Sequence, residues 1–138
     1  MNLRSKILIV DDDHDSLDLL EMILYRDYEV IIAMNGFEAL KKVEEEAPEL
    51  IITDIMMPVM NGIRFFNGLR KSPETHAVPV IALTSFSKEY PARSLVNMGF
   101  SGVVAKPPDS VTVLELITRL LAGSGQEKEA DGSEQAVS

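Results

Sequence analysis

Three adjacent aspartates, Asp11, Asp12 and Asp13, follow the apolar run Ile7-Leu8-Ile9-Val10, and a fourth, Asp54, follows Leu50-Ile51-Ile52-Thr53. Thr84 ends Val80-Ile81-Ala82-Leu83, and Lys106 follows Val103-Val104-Ala105. Acids, a hydroxyl and an ammonium at the ends of apolar runs suit a divalent cation and a phosphoryl group. Oxygen ligands without His or Cys select a hard cation such as Mg²⁺. Asp11 and Asp12 repel each other unless a cation lies between them. Asp13 has a second use, as a negative charge at the start of a helix. Asp54 is the candidate nucleophile, because a carboxylate can attack a phosphoryl centre and form an acyl phosphate; the plainer alternative is a third metal ligand. Lys106 favours the first, since metal binding alone does not call for a cation. Together with Thr84 it would supply charge and a hydrogen bond to the phosphoryl oxygens. Asp11-x-Asp13-x-Asp15 has the spacing of an EF-hand loop, but Ser16 stands where that loop needs Gly and Met22 where it needs Glu. His14 and His76 read as surface residues. Met56, Met57 and Met60 read as loop packing, with the Met56 carbonyl a further candidate metal ligand.

The elements that must bring these residues together follow from periodicity. Short β-branched runs separated by helix-length stretches read as strands of a parallel sheet. Leu17, Leu20, Ile23 and Leu24 recur at helical spacing, with Asp13 or Asp15 as N-cap. Residues 29–33 form a second strand. Asn35 caps a helix to about Ala47, with Glu38 in the capping-box position and Pro48 ending it. Asn61-Gly62 opens a third helix that Ser72-Pro73 closes. Ser87 is expected to cap a fourth, with Pro91 in its first turn, running to about Met98 and stopped by Gly99. Asp109 caps a fifth through Ala122. Five βα units predict an open α/β sandwich with helices on both faces and right-handed crossovers. Chemistry at the ends of strands one and three fits the doubly wound, flavodoxin-like strand order 2-1-3-4-5, whose switch point lies between those strands.

Composition sets the remaining bounds. The 138 residues allow one domain and some spare length, and 46% hydrophobic residues suffice for a core. A net charge of −9 without a dense Lys/Arg cluster excludes a nucleic-acid binder. No apolar run could span a bilayer, and the N-terminus lacks the pattern of a secretory signal. With no cysteine there is no disulfide framework, thiolate nucleophile or cysteine zinc site, so the cytoplasm is the expected compartment. Residues 123–138 carry one lysine against four acids and no apolar periodicity. They are expected to be a disordered acidic tail or the start of a linker beyond a domain spanning residues 1–122.

Four motifs stand in register along the chain: Val10-Asp11-Asp12-Asp13, Thr53-Asp54 through Asn61-Gly62, Leu83-Thr84-Ser85, and Ala105-Lys106-Pro107. In order and spacing the chain resembles the receiver domain of bacterial two-component response regulators, from about Lys6 to Ala122. The resemblance implies a signalling module and not an enzyme. It makes Asp54 the phosphoacceptor, taking a phosphoryl group from a histidine kinase or histidine phosphotransfer protein. It also implies that Asp11, Asp12, Asp54 and the Met56 carbonyl hold Mg²⁺, that Thr84 and Lys106 bind the phosphoryl group, and that Lys106–Pro107 is cis. Output would run through a protein partner or a domain outside this chain. One departure stands out: the family's usual aromatic three residues before the lysine is Val103, and Phe86 is the candidate substitute. Two rival readings remain. One is a phosphorylation-silent scaffold with the same fold. The other is a haloacid-dehalogenase-type phosphohydrolase using Asp11 as nucleophile and Asp13 as acid/base; against it, Asp15 stands where such enzymes carry a hydroxyl residue.

Overall fold

The computed structural model describes residues 4–85 and 90–126, with side chains to Gly123. Among these residues five strands alternate with five helices: β1 (Lys6–Val10), α1 (His14–Leu24), β2 (Glu29–Ala33), α2 (Gly36–Glu46), β3 (Leu50–Asp54), α3 (Gly62–Lys71), β4 (Val80–Thr84), α4 (Ala92–Met98), β5 (Gly102–Ala105) and α5 (Ser110–Gln126). All strand pairs are parallel and the order is β2-β1-β3-β4-β5, the doubly wound, flavodoxin-like arrangement. No helix among the described residues is long and apolar enough to cross a membrane.

Strand alternation divides the core between the two faces of the sheet. Leu8, Val10, Ile51, Val80 and Ala82 point to the side covered by α2, α3 and α4, where Ala39, Val43, Phe65, Phe66, Leu69 and Leu95 pack. Ile7, Ile9, Leu50, Ile52, Ile81 and Leu83 point to the side covered by α1 and α5, against Leu17, Leu20, Leu24, Val113 and Ile117. Being covered on both faces is why the strands read as unbroken apolar runs.

The caps explain where helices begin. Asp13, and not Asp15, is the α1 N-cap, its carboxylate accepting from the Asp15 amide. Asn35 Oδ1 accepts from the Glu38 amide, while Glu38 Oε1 accepts at 2.7 Å from Met34 N–H, one residue earlier than a capping box would place it. Asp109 Oδ2 accepts from the Thr112 amide at 2.9 Å. Two helix limits differ from the sequence expectation. The expected cap Ser87 lies outside the described residues, and α4 starts later, at Ala92 after Pro91. Proline's fixed φ and missing N–H suit a helix start. At the other end α5 passes the expected stop at Ala122 and continues to Gln126. Gly99 ends α4 by adopting φ 118, whereas Gly123 stays helical and only weakens the helix. Residues 127–138, most of the expected tail, lie outside the described residues.

Candidate functional site

Register alone gathers the chemistry. Val10 pairs with Thr53, Asp54 with Leu83, and Thr84 with Ala105, so Asp11, Asp54, Thr84 and Lys106 follow one another along the carboxyl edge of four neighbouring strands. The Lys106 amide donates to the Thr84 carbonyl at 2.9 Å, and the Asp11 amide to the Ala33 carbonyl at 3.2 Å, extending the ladders into the loops that carry the side chains. Lys106–Pro107 is cis, as the family resemblance implied.

The acids form one anionic cup. Carboxylate oxygens of Asp11, Asp12 and Asp54 lie within 4.8 Å of one another. Asp11 is fully buried, Asp54 is 5% exposed, and Asp12 faces solvent. Lys106 Nζ is 2.9 Å from Asp11 Oδ2 and 3.4 Å from Asp54 Oδ1. Asp11 Oδ1 accepts from the Asp13 amide at 3.0 Å. Its other oxygen, Oδ2, makes no aligned hydrogen bond despite its closeness to the ammonium. A buried carboxylate oxygen lacking a hydrogen bond is costly unless a cation faces it. Three all-oxygen donors around such an atom fit Mg²⁺.

Burial pushes the Asp54 carboxyl from its ordinary 3.8 up to about 6. The Asp11 charge adds to the rise and Asp12 contributes a little more, while the charge and hydrogen bonding of Lys106 oppose it. At neutral pH Asp54 is therefore mostly ionised, yet poorly solvated. Burial works to lower the Lys106 value, but the close pairing with Asp11 and the charge of Asp54 outweigh it and hold the ammonium above its ordinary range.

The β3–α3 loop shapes the cup's floor. Met57 and Met60 are buried in the core, whereas Met56 and Val59 project into solvent. The Met60 amide donates to the Pro58 carbonyl at 2.8 Å, closing a γ-turn on Val59 with φ 70, a region that β-branched residues rarely enter. Gly62 N–H donates to the Ile55 carbonyl at 2.9 Å. A Cβ on Gly62 would collide with the Asp54 carbonyl oxygen and stand 3.0 Å from Ile55 Cα, both backbone atoms. The sequence marked Gly62 as a helix start; its close approach beneath Asp54 went unread.

Thr84 is 7% exposed, and its hydroxyl donates to the Ser85 carbonyl over a long 3.4 Å. Asp13 is exposed and committed to the α1 cap, and it is outside the metal-ligand trio. His14 is exposed, and His76 sits in the α3–β4 loop with Nδ1 3.1 Å from the Pro73 carbonyl, so both lie off the cup. Val103 is half-buried against the core on the α2–α4 side and lines an open groove of about 500 Å³ with Gly102, Thr112, Glu115, Leu116 and Arg119. Phe86, the candidate substitute aromatic, lies outside the described residues. Ser16, which the sequence used only as an argument against an EF-hand loop, is buried and donates to Asp13 Oδ2 at 3.1 Å.

Comparison with known proteins agrees with this geometry. Residues 7–121 match the model of the response regulator receiver domain. The chain is 33% identical to Protein PilH of Pseudomonas aeruginosa over 86% of this chain and 99% of that one. It is 37% identical to the alkaline phosphatase synthesis transcriptional regulatory protein PhoP of Bacillus subtilis over 76% of this chain, but spans 43% of that longer protein. The crystal structure of the chemotaxis response regulator CheY4 of Vibrio cholerae superposes with a TM-score of 0.76 at 30% identity, covering 84% of this chain and 98% of that one.

Proposed function

Because the chain belongs to the response regulator receiver domain family, a family of signalling modules and not of enzymes, we propose that it is a phosphorylation switch in which Asp54 accepts a phosphoryl group from a histidine kinase or histidine phosphotransfer protein. One observation carries this reading: Asp54 is buried at the end of β3 with two further acids and an ammonium gathered around it. An Asp54 carboxylate oxygen attacks phosphorus in line with the departing imidazole. The oxygen–phosphorus bond forms as the phosphorus–nitrogen bond breaks, and the imidazole leaves with its electron pair and takes a proton from solvent. Desolvation raises the reactivity of the Asp54 anion while its pKa near 6 keeps it ionised at neutral pH. Lys106 is placed to follow the charge from the carboxylates to the phosphoryl oxygens. Asp11, Asp12, Asp54 and the Met56 carbonyl would hold Mg²⁺, which supplies positive charge to the transferring group when bound.

The product switches a surface. The long Thr84–Ser85 hydrogen bond is weak, so a dianion on Asp54 offers the hydroxyl a stronger acceptor. Turning Thr84 inward biases a pre-existing equilibrium, and a differential of a few kcal/mol suffices to change the dominant state. A protein partner, or a domain outside this chain, reads the change. The donor has an approach: an open depression of about 300 Å³ beside the cup, lined by Asp13, Asp15, Ser16, Leu19, Lys106, Pro107 and Pro108.

Incubation with Mg²⁺ and acetyl phosphate, read by intact mass, tests the proposal. One labile phosphoryl adduct that disappears in Asp54→Ala is expected. Multiple turnover of a phosphomonoester would favour a hydrolase, and no adduct at all a silent scaffold.

A further inference from the structure

We propose that Ser16 is a positioning residue for the Asp11 carboxylate, acting through Asp13; the inference rests on the phosphoacceptor reading of the cup. Ser16 is the third residue of α1 and 8% exposed, an unusual place for a serine unless its hydroxyl is used. That hydroxyl donates to Asp13 Oδ2 at 3.1 Å, and the Asp15 amide donates to Asp13 Oδ1 at 3.2 Å. Both oxygens of Asp13 are thereby engaged on the helix side, which keeps this acid out of the metal-ligand trio although it adjoins Asp12. The same clamp fixes the Asp13 backbone at φ −99 and ψ 116, the extended conformation in which its amide donates to Asp11 Oδ1 at 3.0 Å. With Oδ1 held, Asp11 presents Oδ2 as the buried oxygen without an aligned hydrogen bond, facing Lys106.

Three links thus run from the Ser16 hydroxyl to the carboxylate that faces the cation. Removing the first frees an exposed aspartate and loosens the amide that orients Asp11. Partners standing behind a metal ligand commonly cost 10- to 100-fold in affinity when lost, and an indirect link belongs at the low end of that range.

The test is a Mg²⁺ titration of the full chain followed by amide NMR shifts, with metal-free thermal unfolding measured in parallel. In Ser16→Ala the Mg²⁺ dissociation constant rises about tenfold while the protein stays folded, and Ser16→Thr, which keeps the hydroxyl, restores it. Asp13→Asn keeps an acceptor for the Asp15 amide but puts an NH₂ group where the Ser16 hydroxyl donates, so it breaks the same link and weakens Mg²⁺ binding about as much as Ser16→Ala, and adding Ser16→Ala to it weakens binding no further. A Ser16→Ala affinity equal to the parent's, a Ser16→Thr variant as weak as Ser16→Ala, or an Asp13→Asn affinity equal to the parent's overturns the inference while leaving Asp54 as phosphoacceptor. Absence of Mg²⁺ binding by the parent chain overturns both.

Discussion

The Lys106 ammonium lies closer to Asp11 than to Asp54, 2.9 Å against 3.4 Å. It therefore pairs first with the fully buried acid and leaves Asp54 partly uncompensated. This division explains why Asp54 sits near pKa 6 despite an adjacent cation: burial and the Asp11 charge outweigh what Lys106 gives back. On the proposed phosphoacceptor role of Asp54, the ammonium is placed to shift toward a phosphoryl group without first leaving a tight pair with Asp54.

A raised carboxyl pKa has a definite consequence for stability. The folded value of about 6 lies above the ordinary 3.8, so the fold favours the protonated form. The Asp54 contribution is most favourable below pH 4 and is lost as pH rises through 6. Asp54→Asn should therefore stabilise the metal-free protein by a few kcal/mol at pH 7, an advantage that fades toward pH 4. Urea unfolding of both proteins in EDTA across that range checks this. Added Mg²⁺ should narrow the gap by stabilising the parent more than the variant.

The acids divide by role. Asp12→Ala removes an exposed member of the trio and should weaken Mg²⁺ binding by about tenfold or more, with little change in unfolding temperature. Asp13→Ala removes the α1 cap and should cost about 1 kcal/mol in stability. Calorimetric titration and thermal unfolding of both variants separate the two effects. A larger loss of Mg²⁺ affinity in Asp13→Ala than in Asp12→Ala would show the acids to be wrongly assigned.

The loop beneath Asp54 stores strain that substitution can expose. Val59→Gly relieves a β-branched residue at φ 70 and should stabilise by about 1 kcal/mol. Gly62→Ala forces a methyl group into the Asp54 carbonyl and Ile55 backbone, neither of which can yield alone. It should destabilise by several kcal/mol, or persist with a displaced Asp54 and much slower phosphorylation. Denaturant midpoints of the two variants should move in opposite directions.

Much of this architecture was legible in the residues. The apolar runs placed all five strands, because strands covered on both faces carry little polar alternation. The strand order followed from acids at the ends of strands one and three. Less was visible where tertiary contact overrides local pattern. Pro91 begins α4; Gly123 does not stop α5; and one of three neighbouring methionines, Met56, faces solvent while two are buried. The pairing of Lys106 with Asp11 and the close approach of Gly62 depend on distances between segments far apart in sequence, which no local pattern encodes.

Chemical trapping at residue 54 tests the central assignment most directly. After loading with acetyl phosphate and Mg²⁺, borohydride reduces an aspartyl phosphate to homoserine, which peptide sequencing can locate. Homoserine at position 54, absent when EDTA replaces Mg²⁺, is the expected result. Homoserine at position 11, 12 or 13, or a phosphoryl adduct that persists in Asp54→Ala, would contradict it.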